Sequence, residues 1–96
     1  MKIPRQIIIK GEKWKIRRKT GLKHEKKVVW GLCDYDTRVI WLERNLSPDQ
    51  LMQTWLHEFN HACIMELHVE LEDDLNEVLS DGLAYIYATT FKMELK

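Results

Sequence analysis

Ser47 divides this chain into two kinds of sequence. In "NLSPDQLM" Ser47 is placed to be an N-cap and Pro48 to open a helix, where its missing N–H does no harm. Gln50, three residues after the cap, completes a capping box, and Asp49 suits the positive end of the helix dipole. Met52, Trp55, Phe59, Ala62 and Cys63 then recur at helical spacing, which predicts a core-facing helix running to about Leu67. After the acidic "HVELEDD" a second amphipathic stretch follows. Its apolar set is Leu75, Val78, Leu79, Ala84, Ile86 and Tyr87, reaching towards Phe91. Before Ser47 the period is two. "RQIIIKGEKWKIRRK" reads as a hairpin of Gln6–Ile9 and Lys13–Arg18 turning around Gly11, with Trp14 and Ile16 alternating against basic residues. "TGLKHEKK" is a polar connection without periodicity. "VVWGLCDYDTRVIWL" gives a second hairpin, Val28–Cys33 and Arg38–Leu42, turning through Asp34 to Thr37. Gly31 inside its first arm marks a bulge or a close backbone approach. Strands come first and helices second, so the fold class is α+β, with a small antiparallel or mixed sheet built from two N-terminal hairpins.

The 96 residues fit one domain, 1–96, with a modest core that a bound metal would help to stabilise. No apolar run approaches a membrane span, and Ile7-Ile8-Ile9 is too short for the core of a signal peptide. The expected compartment is the cytoplasm. Cys33 and Cys63 form no framework and read as small buried residues. Net charge is zero but lopsided: residues 1–27 carry eleven Lys and Arg against Glu12 and Glu25, and the remainder carries the opposite excess. Such a split fits either a basic surface for nucleic acid or two oppositely charged faces that attract within one fold.

Chemistry enters with "HEFNH", residues 57–61. On a helix His57 and His61 lie one turn apart on one face, so both imidazoles can aim at one point. That arrangement suits a small tetrahedral cation, usually zinc. Glu58, beside the first histidine, is rotated away from the metal position yet can reach a water there, taking its proton and returning it to a leaving amine. Two surface histidines beside a solvated glutamate would carry the same letters. "LNEVLSDGLAY" adds Glu77 and Asp81, again one turn apart. Glu77 can be a third ligand, and Asp81 can accept the free N–H of a ligand histidine. An ordinary acidic face, continuing Glu70, Glu72, Asp73 and Asp74, is the other reading of these two.

"HEFNH" followed fifteen residues later by "NEVLSD" resembles the paired HExxH and NExxSD signature of gluzincin metallopeptidases, as in the thermolysin family. His57, Glu58, His61, Asn76, Glu77, Ser80 and Asp81 all match it. The resemblance implies a zincin-like fold with the sheet packed on an active-site helix and a C-terminal glutamate helix. It implies His57, His61 and Glu77 as Zn2+ ligands, Glu58 as general base and acid, and Asp81 as partner of a ligand histidine. The hairpin ahead of "LMQTWLHEFNHA" is similar to that of minimal zincins, which include minigluzincins, SprT-like proteins and the small ImmA/IrrE-type peptidases common in phages. In that fold Trp30, Gly31, Leu32 and Cys33 would form an edge strand pairing with an extended peptide or protein substrate.

The chain departs from larger thermolysin-like enzymes in lacking their C-terminal subdomain, which supplies a histidine to the oxyanion. His68, Tyr85 and Tyr35 are the candidates for that task here. The expected activity is zinc-dependent hydrolysis of peptide bonds, narrow or latent, with "TTFKMELK" able to lie in the cleft. Two rivals remain. One is a module that holds zinc structurally and captures a peptide without cutting it. The other is a DNA-associated protein using the basic segment 1–27, as the SprT-like resemblance would permit.

Overall fold

The computed structural model describes residues 3–68 and 70–90, the last four of these by backbone alone. Six strands precede two helices: β1 (Gln6–Ile9), β2 (Glu12–Lys19), β3 (Lys23–His24), β4 (Lys27–Val28), β5 (Gly31–Asp34), β6 (Val39–Glu43), α1 (Pro48–Glu66) and α2 (Asp73–Thr90). The fold is a small α+β domain with a mixed four-stranded sheet, order β1-β2-β6-β5, and two helices. The first hairpin turns through Lys10 (φ 48°) and Gly11 (φ 84°) with Ile9 opposite Glu12. Two positive φ values in a two-residue loop match the twist of the flanking strands.

β2 then runs parallel to β6, Ile16 beside Ile40, while β5 and β6 form the second, antiparallel hairpin. Its turn is tied by Asp34, whose Oδ1 accepts from the N–H groups of Asp36 and Thr37 at 3.1 and 3.3 Å. Two boundaries differ from the sequence reading. The first arm begins at Gly31, and Val28 belongs to a separate short hairpin, β3–β4, where a plain polar connection was expected. A remote carboxylate shapes this hairpin's root: Glu43 accepts from the N–H groups of Gly21, Leu22 and Asn45 at 2.7, 3.1 and 3.2 Å.

The start of α1 is as its sequence predicts. Ser47 Oγ accepts from Gln50 N–H, and the Gln50 side chain accepts from Ser47 N–H at 3.0 Å. Met52, Trp55, Leu56 and Ala62 bury against Trp14, Ile16, Cys33, Ile40 and Leu42 of the sheet. The far end of the helix is fastened to the sheet through Glu66. Its Oε2 accepts from Trp14 Nε1–H at 2.7 Å and from Arg38 Nε–H at 2.8 Å. Leu67 caps α1, and His68 leaves it with a left-handed φ of 57°.

α2 corrects the expected apolar face. Leu75, Val78, Leu79 and Ile86 are exposed, whereas Ser80 and Ala84 are fully buried. The side of α2 that meets α1 carries Asn76, Ser80 and Ala84, four residues apart. Small side chains let the helices approach, and the buried Asn60 and His61 of α1 donate hydrogen bonds to Ser80 C=O and Asn76 Oδ1 on this side, which outweighs hydrophobicity in setting the rotation. Of the expected apolar set, Tyr87's side chain and Phe91 lie outside the described residues. Of the segment "TTFKMELK", Thr89 and Thr90 end α2 and the rest also lies outside them. No helix among the described residues is long and apolar enough to cross a membrane.

Candidate metal centre

The α1 spacing brings His57 Nε2 and His61 Nε2 to 3.0 Å. α2 contributes Glu77, whose Oε2 lies 3.1 Å from His57 Nε2 and whose Oε1 lies 3.0 Å from His61 Nε2. The two imidazole nitrogens and the Glu77 carboxylate therefore close a triangle of groups, with one carboxylate oxygen facing each histidine. Ligands about 2.0–2.1 Å from a tetrahedral zinc lie roughly 3.3 Å from one another, so a slight opening of this triangle admits such an ion. The group His57, His61 and Glu77 could hold a metal ion.

The surroundings prepare the histidines for that task. His61 is buried, and burial lowers the pKa of its imidazole, favouring the neutral ring that ligates. Its Nδ1 lies 2.7 Å from Asn76 Oδ1, and Ser80 Oγ–H donates to the same oxygen at 3.3 Å. An amide oxygen only accepts, so the proton sits on Nδ1 and the Nε2 lone pair points at the triangle. Asp81 Oδ1 stands 3.5 Å from His57 Nδ1, in ion-pair range rather than in a tight hydrogen bond. The partner of His61 is thus Asn76, a residue the sequence placed in a motif without giving it this role. Asn76 and His61 are fifteen residues apart, and only the packing of α2 on α1 joins them.

Glu58 occupies the next position on α1 and is 7% exposed. Among the described residues its carboxylate makes no hydrogen bond or ion pair. Burial, with the charge of Glu77 second, raises its pKa to about 8. Gly31 explains how close the sheet comes. A Cβ there would stand 2.7 Å from Thr54 Cγ2, 2.8 Å from Glu58 Cγ and 2.9 Å from Glu58 Oε2. Only glycine lets β5 lie directly on the helix at this point. The close backbone approach expected at Gly31 is present, and its partner is the glutamate of HExxH.

β5 is an outer strand of the sheet, paired on one side only. Glu43 N–H donates to Trp30 C=O at 2.7 Å, making that position a hydrogen-bonded pair. By antiparallel alternation the N–H and C=O groups of Gly31 and Cys33 point off the open edge. Trp30, Gly31, Leu32 and Cys33 all line a cleft of about 740 Å³ whose other walls include Thr54, His57, Glu58, His61, Glu77 and Asp81. His24 and Val28 of the short hairpin also line it, and sequence reasoning gave neither a role there.

Of the three tyrosine and histidine candidates, Tyr35 lines the cleft, and His68 and Tyr85 are not among its lining residues. Burial, and then the neighbouring Cys33, raise the Tyr35 pKa, so its phenol stays protonated and can donate. Burial likewise pushes the Cys33 thiol up, which makes it a poor nucleophile or ligand. No protein-family model, curated protein or solved structure matches the chain, so its reading rests on this geometry.

Proposed function

We propose that the chain is a minimal zinc-dependent metallopeptidase with a zincin-like arrangement, hydrolysing peptide bonds of an extended substrate. One observation carries this reading. Three converging donors from two helices lie beside a buried, unpartnered carboxylate, under the open edge of a strand. A zinc ion held by His57, His61 and Glu77 would supply Lewis-acid polarisation of the scissile carbonyl and lower the pKa of water.

The chain's own residues do the rest. Glu58 takes the proton of the attacking water and hands it to the leaving amine. Burial raises its pKa, which favours its keeping the proton between the two transfers. The outward backbone groups of Gly31 and Cys33 hold the substrate as an added strand, aligning its carbonyl over the donors. The protonated Tyr35 phenol donates to the oxyanion. Asn76 and Ser80 keep the His61 lone pair directed at the ion.

The test is cleavage of a quenched fluorescent peptide pool by the purified chain, before and after chelation and after one equivalent of zinc is returned. Cleavage lost on chelation and restored by zinc supports the reading. Cleavage indifferent to chelation removes the metal from it. One bound zinc with no cleavage leaves a module that captures peptides without cutting them.

A further inference from the structure

Among the described residues, no Lys or Arg of segment 1–27 forms an ion pair with an Asp or Glu beyond it. Arg18 instead donates to the carbonyl oxygens of Glu43 and Arg44 at 3.3 and 3.2 Å. Direct ion pairs with the acidic half, among the described residues, therefore do not account for the excess.

The pleat of β2 sorts these cations. Trp14 and Ile16 face the helices, and Lys13, Lys15, Arg17 and Lys19 stand exposed on the opposite face. Alternate residues on a strand are about 6.6 Å apart, so the four cations form a straight, evenly spaced row. The register places Ile8 beside Lys13, Val39 beside Lys15 and Trp41 beside Arg17. Leu32 follows on the far side of Trp41. The buried core that holds both helices lies on the Trp14 and Ile40 side of the sheet.

We propose that this open sheet face binds single-stranded nucleic acid, with phosphates along the row Lys13 to Lys19 and a base stacked on Trp41. One carboxylate faces the row, Glu43 beside Lys19, and it is buried and taken up by the N–H groups of Gly21, Leu22 and Asn45, so the exposed cations still complement a polyanion. Beside the row Ile8 is exposed and Val39 and Trp41 are half-buried, and their outward parts offer contact to base faces, which only an unpaired strand presents. A duplex groove admits a helix or a two-stranded ribbon, and this face is four strands wide. Of this face only Leu32 also lines the cleft, and Lys13, Lys15, Arg17, Lys19 and Trp41 do not, so the row operates whether or not the chain cuts peptides.

The experiment is a fluorescence-anisotropy titration of labelled oligothymidylate with the full chain over a range of salt, beside a duplex of equal length and vesicles of anionic phospholipid. Four neutralised phosphates predict a log–log salt slope of about −2.8. Lys15→Gln with Arg17→Gln halves that slope and weakens binding at least tenfold at low salt. Trp41→Leu weakens binding roughly tenfold and leaves the slope in place. Should Trp41→Leu fail to fold, the exposed charge pair still decides. Four results overturn the proposal: no binding to oligothymidylate, tighter binding to the duplex, binding to vesicles alone, or an unchanged slope in the Lys15 and Arg17 variant.

Discussion

Two carboxylates on α1, eight residues apart, are both buried and have opposite fates. Glu66 is 2% exposed and fully engaged, with the Trp14 indole and the Arg38 guanidinium donating to it. Arg38 chiefly, with help from Trp14, holds its carboxyl below the usual range. Glu58 is 7% exposed, has no such partner among the described residues, and is driven up to about 8. One carboxylate locks a helix to a sheet. The other is kept buried beside three ligand-type atoms although its charge is costly there, and a group held that way is poised to exchange a proton. Burial alone does not separate the two roles; the partners do.

The comparison can be broken from either side. The largest effect is expected at Glu58→Gln, which keeps zinc and lowers peptide hydrolysis about 10³-fold, the usual contribution of a general base. Hydrolysis at the parental rate would end the assignment of Glu58. Glu66→Ala should do the reverse. It leaves Trp14 and Arg38 without their acceptor and costs about 3 kcal/mol in denaturant unfolding, at the low end for a buried pair because Arg38 is partly solvated. Its zinc content and turnover per folded molecule should stay near the parent's, and lost turnover at full folding would erase the distinction.

Gly31→Ala probes the contact that crowds Glu58. The added methyl must displace Thr54 or Glu58, and the expected result is roughly a 100-fold loss of turnover with little change in zinc stoichiometry. An unaltered rate would mean that β5 does not position the glutamate. The smallest effect concerns pH in the metal-free chain. Glu58's folded pKa of about 8 lies above its unfolded 4.5, so the folded state binds the extra proton between these values. Stability from this group is complete below the lower value, fades as pH rises between the two, and is lost once pH passes the upper. Glu66, with its lowered pKa, acts in the opposite sense and loses its contribution only as acid protonates it. Thermal unfolding after chelation should show Glu58→Gln with a flatter pH dependence than the parent between pH 4.5 and about 8; parallel curves there would contradict the raised pKa.

What the sequence disclosed was local. The Ser47–Gln50 box, the i, i+4 histidines and the period-two strands each carry their geometry within a few residues, and the structure has the capping box, the paired imidazoles and the two main hairpins. Features that depend on distant groups were not legible. The β3–β4 hairpin is rooted by Glu43, some twenty residues away, and its strands are too short to show periodicity. The parallel pairing of β2 with β6 joins segments that no turn connects. The rotation of α2 follows from Asn76, Ser80 and Ala84, two of them polar, so of the expected apolar set hydropathy found the buried Ala84 but not its polar neighbours on that face. Gly31 was legible as a close approach, and Thr54 and Glu58 as its neighbours were not.

Everything proposed for Glu58 depends on an ion held between the two helices, with Glu77 supplying the donor that α1 lacks. The measurement that tests this most directly is the zinc content per chain of the purified parent and of Glu77→Ala, after equilibration with limiting free zinc. One zinc per parent chain and a large loss in Glu77→Ala is the predicted result. Full occupancy in Glu77→Ala, or none in the parent, would contradict it.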